Sequence, residues 1–159
     1  MVILPWHAEG VLHVCENLKT ADRLEVFATR NDDDPRNLAD SVYYGQNERD
    51  LFWLLGTPEH GAVMCLGAHE LWPGFWTPWA FGTPDMYHIG LSATRFVKHG
   101  MIPEMKRRGF RRAECRSLDT HTQAHAWLEA CGGLLEGHHP RMGREGEGFV
   151  TYVFFPETC

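Results

Sequence analysis

The chain has 159 residues, of which 43 % are hydrophobic and 12 % aromatic, and a formal net charge of −6. That is enough apolar material for one folded domain over residues 1–159 and too much for a disordered chain. No apolar run approaches the roughly 18 residues of a bilayer span, and MVILPWHAEG lacks the basic start and long apolar stretch of a secretory leader, so export by signal peptide is not expected.

Val11, Leu12, Val14, Cys15 and Leu18 recur at helical spacing and predict a first helix. Thr20 or Asp22 is expected to cap a second helical piece carrying Leu24 and Phe27. NDDDP is a break, and Pro35 opens a third helical segment with Leu38, Val42 and Tyr43. LFWLLG (51–56) reads as a buried strand, TPEHG as a turn, and AVMCLGAHEL (62–71) as the returning strand of a hairpin. WPG turns the chain into FWTPWAFG (75–82), the third strand of a meander. Pro78 removes a ladder donor from it, which predicts a bulge or a free side. Residues 88–108 read as a helix with Leu91, Thr94, Val97, Met101, Ile102 and Met105 on one face, a kink at Pro103 and a stop at Gly109. FRRAECRSL (110–118) is the next strand. Asp119 or Thr120 is expected to cap a helix bearing Ala124, Trp127, Leu128 and Cys131, which Gly132-Gly133 ends. LLEGHH and FVTYVFF (149–155) form a closing hairpin. The crossover through 88–108 makes strand 110–118 parallel to strand 75–82. The fold class is α/β: a layered, mixed central sheet with an antiparallel meander, then a parallel strand, flanked by helices.

Cys15, Cys65, Cys115, Cys131 and Cys159 are odd in number and widely spaced, which argues against a disulfide framework or a zinc ribbon and for small core residues in a reducing cytoplasm. Acidic residues gather in 31–50 and basic ones in 98–116. The basic group suits either an anionic partner or a solvated helix end. Trp76 lies on one face of strand 75–82, with Trp79 and Phe81 on the other. Part of that aromatic surface is therefore expected outside the core, at a ligand cleft or protein interface, unless the N-terminal helices cover it. The net negative charge and the lack of a nucleic-acid motif set nucleic acid aside as a direct ligand.

HTQAHAWLEACGG (121–133) resembles the GNAT acetyltransferase segment Asn-x-x-Ala-x-x-Leu-Tyr-x-x-x-Gly-Phe, with Ala124 and Gly132 in the alanine and glycine places. The resemblance implies that strands 75–82 and 110–118 splay and that acyl-CoA enters the V between them. A further resemblance, carried by HELWPGFWTPWAFGTPD and RRAECRSLDTHTQAHAWLEACGG, is to a branch of this fold among internal virion or assembly proteins of tailed bacteriophages. It implies other phage virion or assembly proteins as partners and a location in host cytoplasm or virion; the split charge distribution is compatible with self-association, and the lack of a long apolar run leaves no membrane partner expected.

GNAT enzymes hold the CoA pyrophosphate on an Arg/Gln-x-x-Gly-x-Gly/Ala loop, where small residues bare backbone amides at a helix start. The matching register is Tyr87-His88-Ile89-Gly90-Leu91-Ser92, so Tyr87, Gly90, Ser92 and Arg95 are the cofactor-binding candidates if acyl-CoA binds. Tyr87 replaces the Arg or Gln, Asp85 adds a negative charge, and Pro84 removes a donor. The plainer reading makes Asp85 a helix N-cap and Gly90 a packing glycine. Leu128 stands where the family's acidic tyrosine stands and transfers no proton. Glu70, Glu114 and His121 are the catalytic candidates, with His69 and His125 beside them. His121 and His125 are four apart on a helix, with His138 and His139 further on, but no Cys or carboxylate completes a zinc spacing and no metal is assigned. The favoured expectation is a virion or assembly protein with a GNAT-like fold, acting by protein contacts, without acyl transfer or cofactor. The alternative is an acyl-CoA-dependent N-acetyltransferase with a divergent pyrophosphate loop, using acetyl-CoA. A cleft filled by Trp or Phe side chains favours the first and an open one the second.

Overall fold

In a computed structural model describing residues 1–159, the apolar periodicities resolve into seven strands and a set of short helices. The N-terminal part is β1 (Val2–Leu4), α1 (Ala8–Glu16), α2 (Thr20–Phe27) and α3 (Pro35–Tyr44). The meander is β2 (Leu51–Thr57), β3 (Gly61–Trp72) and β4 (Phe75–Gly82). A 3₁₀ turn (Pro84–Ile89) leads into α4 (Gly90–Phe96), a π segment (Val97–Met101) and α5 (Ile102–Arg107). Then come β5 (Arg112–Leu118), α6 (Thr122–Ala130), β6 (Leu134–His139) and β7 (Phe149–Phe154). The sheet order is β1-β2-β3-β4-β5-β7-β6, antiparallel except for β4 with β5.

Helices cover both faces of this sheet, which is why β3 is buried without a break from Ala62 to Ala68. One core joins the sheet to the α4–α5 run through Leu55, Met64, Leu66, Trp76, Val97 and Met101. The other joins it to the N-terminal helices through Val11, Val14, Phe27, Leu54, Cys65 and Phe81. The alternation on β4 is as the pattern requires: Trp76 and Phe81 enter the core, while Phe75 and Trp79 are only partly buried and Trp79 lines a cavity. Trp76 is fully buried under α4–α5, and Phe81 is covered by the N-terminal helices. The exposed tryptophan is Trp72, stacked on Phe75 at 4.2 Å in the β3–β4 turn.

The strand β1, which pairs with β2, is too short for its alternation to show in the sequence. Lys19, not Thr20 or Asp22, precedes α2 as its cap, and Asp22 is instead buried inside it. The cap of α6 is His121, because a turn at 118–121 delays the helix beyond Asp119 and Thr120. Leu24 and Leu91 are solvent-exposed rather than core-facing. The Pro103 kink is a π segment: proline cannot bond the carbonyl of His99, and the Ile102 N–H reaches back five residues to the Val97 carbonyl. Gly109 ends α5 at φ 81° and Gly132 follows α6 at φ 100°, both in the left-handed region. All five thiols are free. Burial pushes those of Cys15 and Cys115 up to about 12 and that of Cys131 up to about 11, so these are unreactive packing groups. The 106–112 basic cluster is spent on local contacts: Arg107 and Arg108 on Glu104, Arg111 on the Pro73 carbonyl, Lys106 on that of Cys159. No helix is long and apolar enough to cross a membrane.

Candidate functional site

β4 and β5 pair at only two positions, Phe75 with Arg112 and Trp76 with Ala113, and then splay. Pro78 explains part of this. It stays in regular register with Ala68, and the β3–β4 irregularity lies at Glu70/Trp72, so Pro78 marks a free side and not a bulge. The Thr83 N–H bonds the Val63 carbonyl, which fixes the alternation along β4. Pro78, Ala80 and Gly82 thus turn their backbone polar groups toward β5, and the nitrogen of Pro78 has nothing to donate.

A cavity of about 770 Å³ runs through the opening. On the α4 side it is lined by Met86, Gly90, Ala93, Trp127 and Leu128. On the N-terminal side it reaches Glu25, His69, Trp79, Arg116 and His121. Two of these lining residues carry buried nitrogens with no hydrogen-bond partner, Nε1 of Trp79 and Nε2 of His121. Unpaired buried polar atoms are uncommon, and the nearest charged group to the His121 nitrogen is Oδ1 of Asp22 at 3.5 Å.

The far end of the opening is spanned from α2. The Asp22 carboxylate accepts the Gly82 N–H at 2.8 Å, and the Lys19 N–H bonds the Gly82 carbonyl at 2.9 Å. Glu25 Oε2 accepts the Leu118 N–H and the Ser117 hydroxyl, each at 2.6 Å, and lies 3.1 Å from His121 Nδ1. Two carboxylates therefore satisfy the strand ends that cannot ladder with each other. Burial works to raise the Glu25 carboxyl, but the bonds from His121, Ser117 and the Leu118 amide outweigh it and hold the pKa below the usual range. At Asp22 burial wins over Lys19 and the Gly82 amide, and its pKa is raised. His121 Nε2 lies 3.5 Å from Asp22 Oδ1.

His69 is the other polar feature of the lining. Its Nδ1 lies 3.0 Å from Oδ2 of Asp50, whose side chain is fully buried. Asp50 also accepts the N–H groups of Asn47 and Glu70, at 3.0 and 3.3 Å. A carboxylate only accepts, so Nδ1 carries the proton and Nε2 of the neutral ring is left with the lone pair. The ring stacks on Trp79 at 5.8 Å.

The other sequence candidates fall in different places. Glu70 does not line the cavity; its Oε1 accepts the Gly74 N–H in the β3–β4 turn. Glu114 pairs with Arg112 at 2.9 Å, beside Glu136, also outside the lining. His125 Nε2 is 3.0 Å from the Leu118 carbonyl. His121 and His125 thus have separate partners, and His139 is bonded to Thr151. Tyr87 and Gly90 line the cavity, with the Tyr87 ring 3.9 Å from that of His88. Ser92 and Arg95 lie on the outer side of α4, in a shallow groove with Phe96 and His99. Thr83, not Asp85, caps the 3₁₀ turn, its hydroxyl accepting the Asp85 N–H at 3.2 Å. Gly90 is not a packing glycine: its φ of −49° is ordinary helix, and an added Cβ would meet nothing within 4 Å. Neither backbone nor packing demands a glycine there.

Asp50 and Glu25 were not singled out from the sequence, and Asp22 only as a helix cap. Asp50 was findable, because it sits one step beyond the Leu51–Ala68 pair of the hairpin, across from His69. Nothing local marks Asp22 or Glu25.

No protein-family model and no curated protein sequence matches the chain. Solved structures do. The ribosomal-protein-S18-alanine N-acetyltransferase from Escherichia coli matches with TM-score 0.70 and 14 % identity, over 97 % of this chain and 92 % of that one. An acetyltransferase of the GNAT family from Bacillus anthracis matches with TM-score 0.67 and 17 % identity, over 98 % and 94 %. The protein smu.2055 from Streptococcus mutans UA159 matches with TM-score 0.73 and 15 % identity, over 98 % and 99 %. Identities this low speak to architecture, and with the mixed sheet and splayed β4–β5 pair they lead to one conclusion: the chain has the GNAT acetyltransferase fold.

Proposed function

We propose that the protein is an acyl-CoA-dependent N-acyltransferase with a divergent pyrophosphate turn. The observation that carries this reading is the cleft, a cavity of about 770 Å³ that opens where β4 and β5 part and has Trp79 and Trp127 in its wall. Ala80 offers its backbone N–H and C=O along one wall, Ala93 and Leu128 offer apolar surface along the other, and Gly90 leaves room at the head of α4. These suit the amides, the chain and the phosphates of an acyl-CoA in that order. Acetyl-CoA, when bound, supplies an activated acyl thioester.

The residues of the chain then divide the work. His69 Nε2 accepts a proton from the amine of the acceptor substrate, and Asp50 holds the ring in the tautomer that makes this acceptance possible. Glu25 and His121 form the polar wall that the amine passes. Leu128 contributes no proton, and a thiolate needs less help than an alkoxide in leaving, since an ordinary thiol titrates at about 8.5.

The reading as a virion or assembly component, acting through contacts with other phage proteins or copies of itself, has a sequence resemblance behind it. What supports acyl transfer over it is the cavity at the splayed strands, with the unpaired nitrogens of Arg30, Trp79 and His121 in its lining.

The test is thermal denaturation against acetyl-CoA. Binding should add roughly 2–3 kcal/mol at a hundredfold excess over the dissociation constant, and Gly90→Trp should abolish that gain without lowering the melting temperature of the free protein. A wild-type protein that gains nothing sinks the reading.

A further inference from the structure

We propose that His60, Asp85 and His88 form a binding site for one divalent transition-metal ion of the zinc class, at the turn that precedes Gly90. Two segments meet there, the β2–β3 turn and the 3₁₀ turn after β4. One donor atom from each of the three residues lies within 4.8 Å of the other two. His60 Nδ1 is 3.8 Å from Asp85 Oδ1, and the His60 and His88 rings stack at 4.7 Å with 13° between their planes.

The backbone holds this group in place. Asp85 and His88 are three apart in a 3₁₀ turn, a spacing that eclipses their side chains. The Thr83 cap fixes the start of that turn, and the His60 N–H is tied to the Thr57 hydroxyl at 2.9 Å. His60 is partly buried, while Asp85 is about half exposed at 46 %. Around a tetrahedral zinc with bonds of about 2.0–2.1 Å, donors sit roughly 3.4 Å apart. The observed separations exceed that by an ångström or so, within reach of side-chain rotation at a partly exposed turn.

The donor set selects the metal. Two imidazoles and one carboxylate suit zinc, nickel or copper and are poor for magnesium or calcium. Three protein ligands leave a coordination position open, and Glu59, whose carboxylate is 3.9 Å from His60 Nε2, lies against the ring nitrogen that does not face Asp85. The ion also answers a charge problem. Without it, Asp85 puts a negative group on the turn beneath Gly90; with it, the net sign there becomes positive. That last consequence, a metal-assisted hold on a pyrophosphate, rests on the acyl-CoA reading, whereas metal binding itself does not.

The experiment is titration of the purified chain with Zn²⁺ alone, in competition with a chromophoric chelator, followed by Co²⁺ substitution read in the visible spectrum. One ion per chain is expected, with a four- or five-coordinate cobalt spectrum. His88→Ala and Asp85→Asn, both at accessible turn positions, should each weaken binding by more than the 10- to 100-fold typical of losing an outer-shell partner. His138→Ala, on the remote β6, should leave it unchanged. Wild-type protein that binds no ion overturns the proposal, as does equal binding by wild type and His88→Ala. Repeating the acetyl-CoA melt with and without Zn²⁺ separates the two readings, since a protein that binds zinc and ignores acetyl-CoA fails only the acyltransferase.

Discussion

Asp50 stands across the β2–β3 hairpin from His69, with Oδ2 at 3.0 Å from the imidazole Nδ1, so a fully buried carboxylate orients a ring that lines the cleft. If His69 is the base, His69→Gln should lower kcat for an amine acceptor by roughly 10²- to 10⁴-fold and leave the affinity for acetyl-CoA unchanged. Asp50→Asn should lose a similar factor, because its amide can donate to Nδ1 and move the ring proton to Nε2. The double variant should be no slower than His69→Gln, as expected for residues acting as one unit. Steady-state rates on the three variants decide it, and additive losses would separate the pair.

Gly90 sits in helical backbone with open space around its absent side chain. Gly90→Ala should therefore stabilise the protein by about 0.4–1 kcal/mol through the unfolded chain. Its melting temperature should rise while acetyl-CoA binding weakens, an opposition of sign that a packing glycine would not give.

The two carboxylates from α2 respond to pH in opposite directions. The Glu25 carboxyl is held low, so its contribution is complete above the ordinary carboxylate range and is lost as pH falls through its folded value. The Asp22 carboxyl is raised, so it favours the folded state in acid, and that contribution is lost as pH rises through its folded value. Glu25→Gln should cost on the order of 2 kcal/mol at neutral pH, with the gap to wild type closing in acid. Asp22→Asn, which keeps an oxygen for the Gly82 N–H, should be at least as stable as wild type at neutral pH, with the difference closing in acid as the wild-type carboxyl takes up its proton. Urea midpoints at a series of pH values read both trends.

Leu128 lines the cleft where the GNAT segment carries a tyrosine. Leu128→Tyr should return a proton donor to the departing thiolate and raise kcat at unchanged acceptor KM, measured by thiol release. An unchanged kcat would mean that thiolate departure does not limit the rate.

Most of the architecture was legible because it rests on local rules. The meander followed from apolar runs broken by TPEHG and WPG, and the parallel β5 from the crossover rule. The splay was legible only as far as Pro78, a residue without a donor. What escaped was set by distance along the chain. Glu25 and His121 are 96 positions apart, and Asp22 reaches Gly82 across 60. No periodicity within α2 announces that two of its acids face strand ends instead of water. His60 was hidden the same way, because its neighbours in space come from the turn after β4. His69 escaped preference over Glu70 because alternation says that the two face opposite sides but not which side is the cleft.

The seating of α2 has a mechanical meaning. Gly82 and Leu118 end the two diverging strands, and each gives its amide hydrogen to an acid one helical turn from the other on the same helix. That helix acts as a calliper set on the jaw opening. Any occupant that forces the jaws wider must pull one of these amides off its carboxylate, so proton exchange at Gly82 and Leu118 becomes a gauge of how far the jaws have moved.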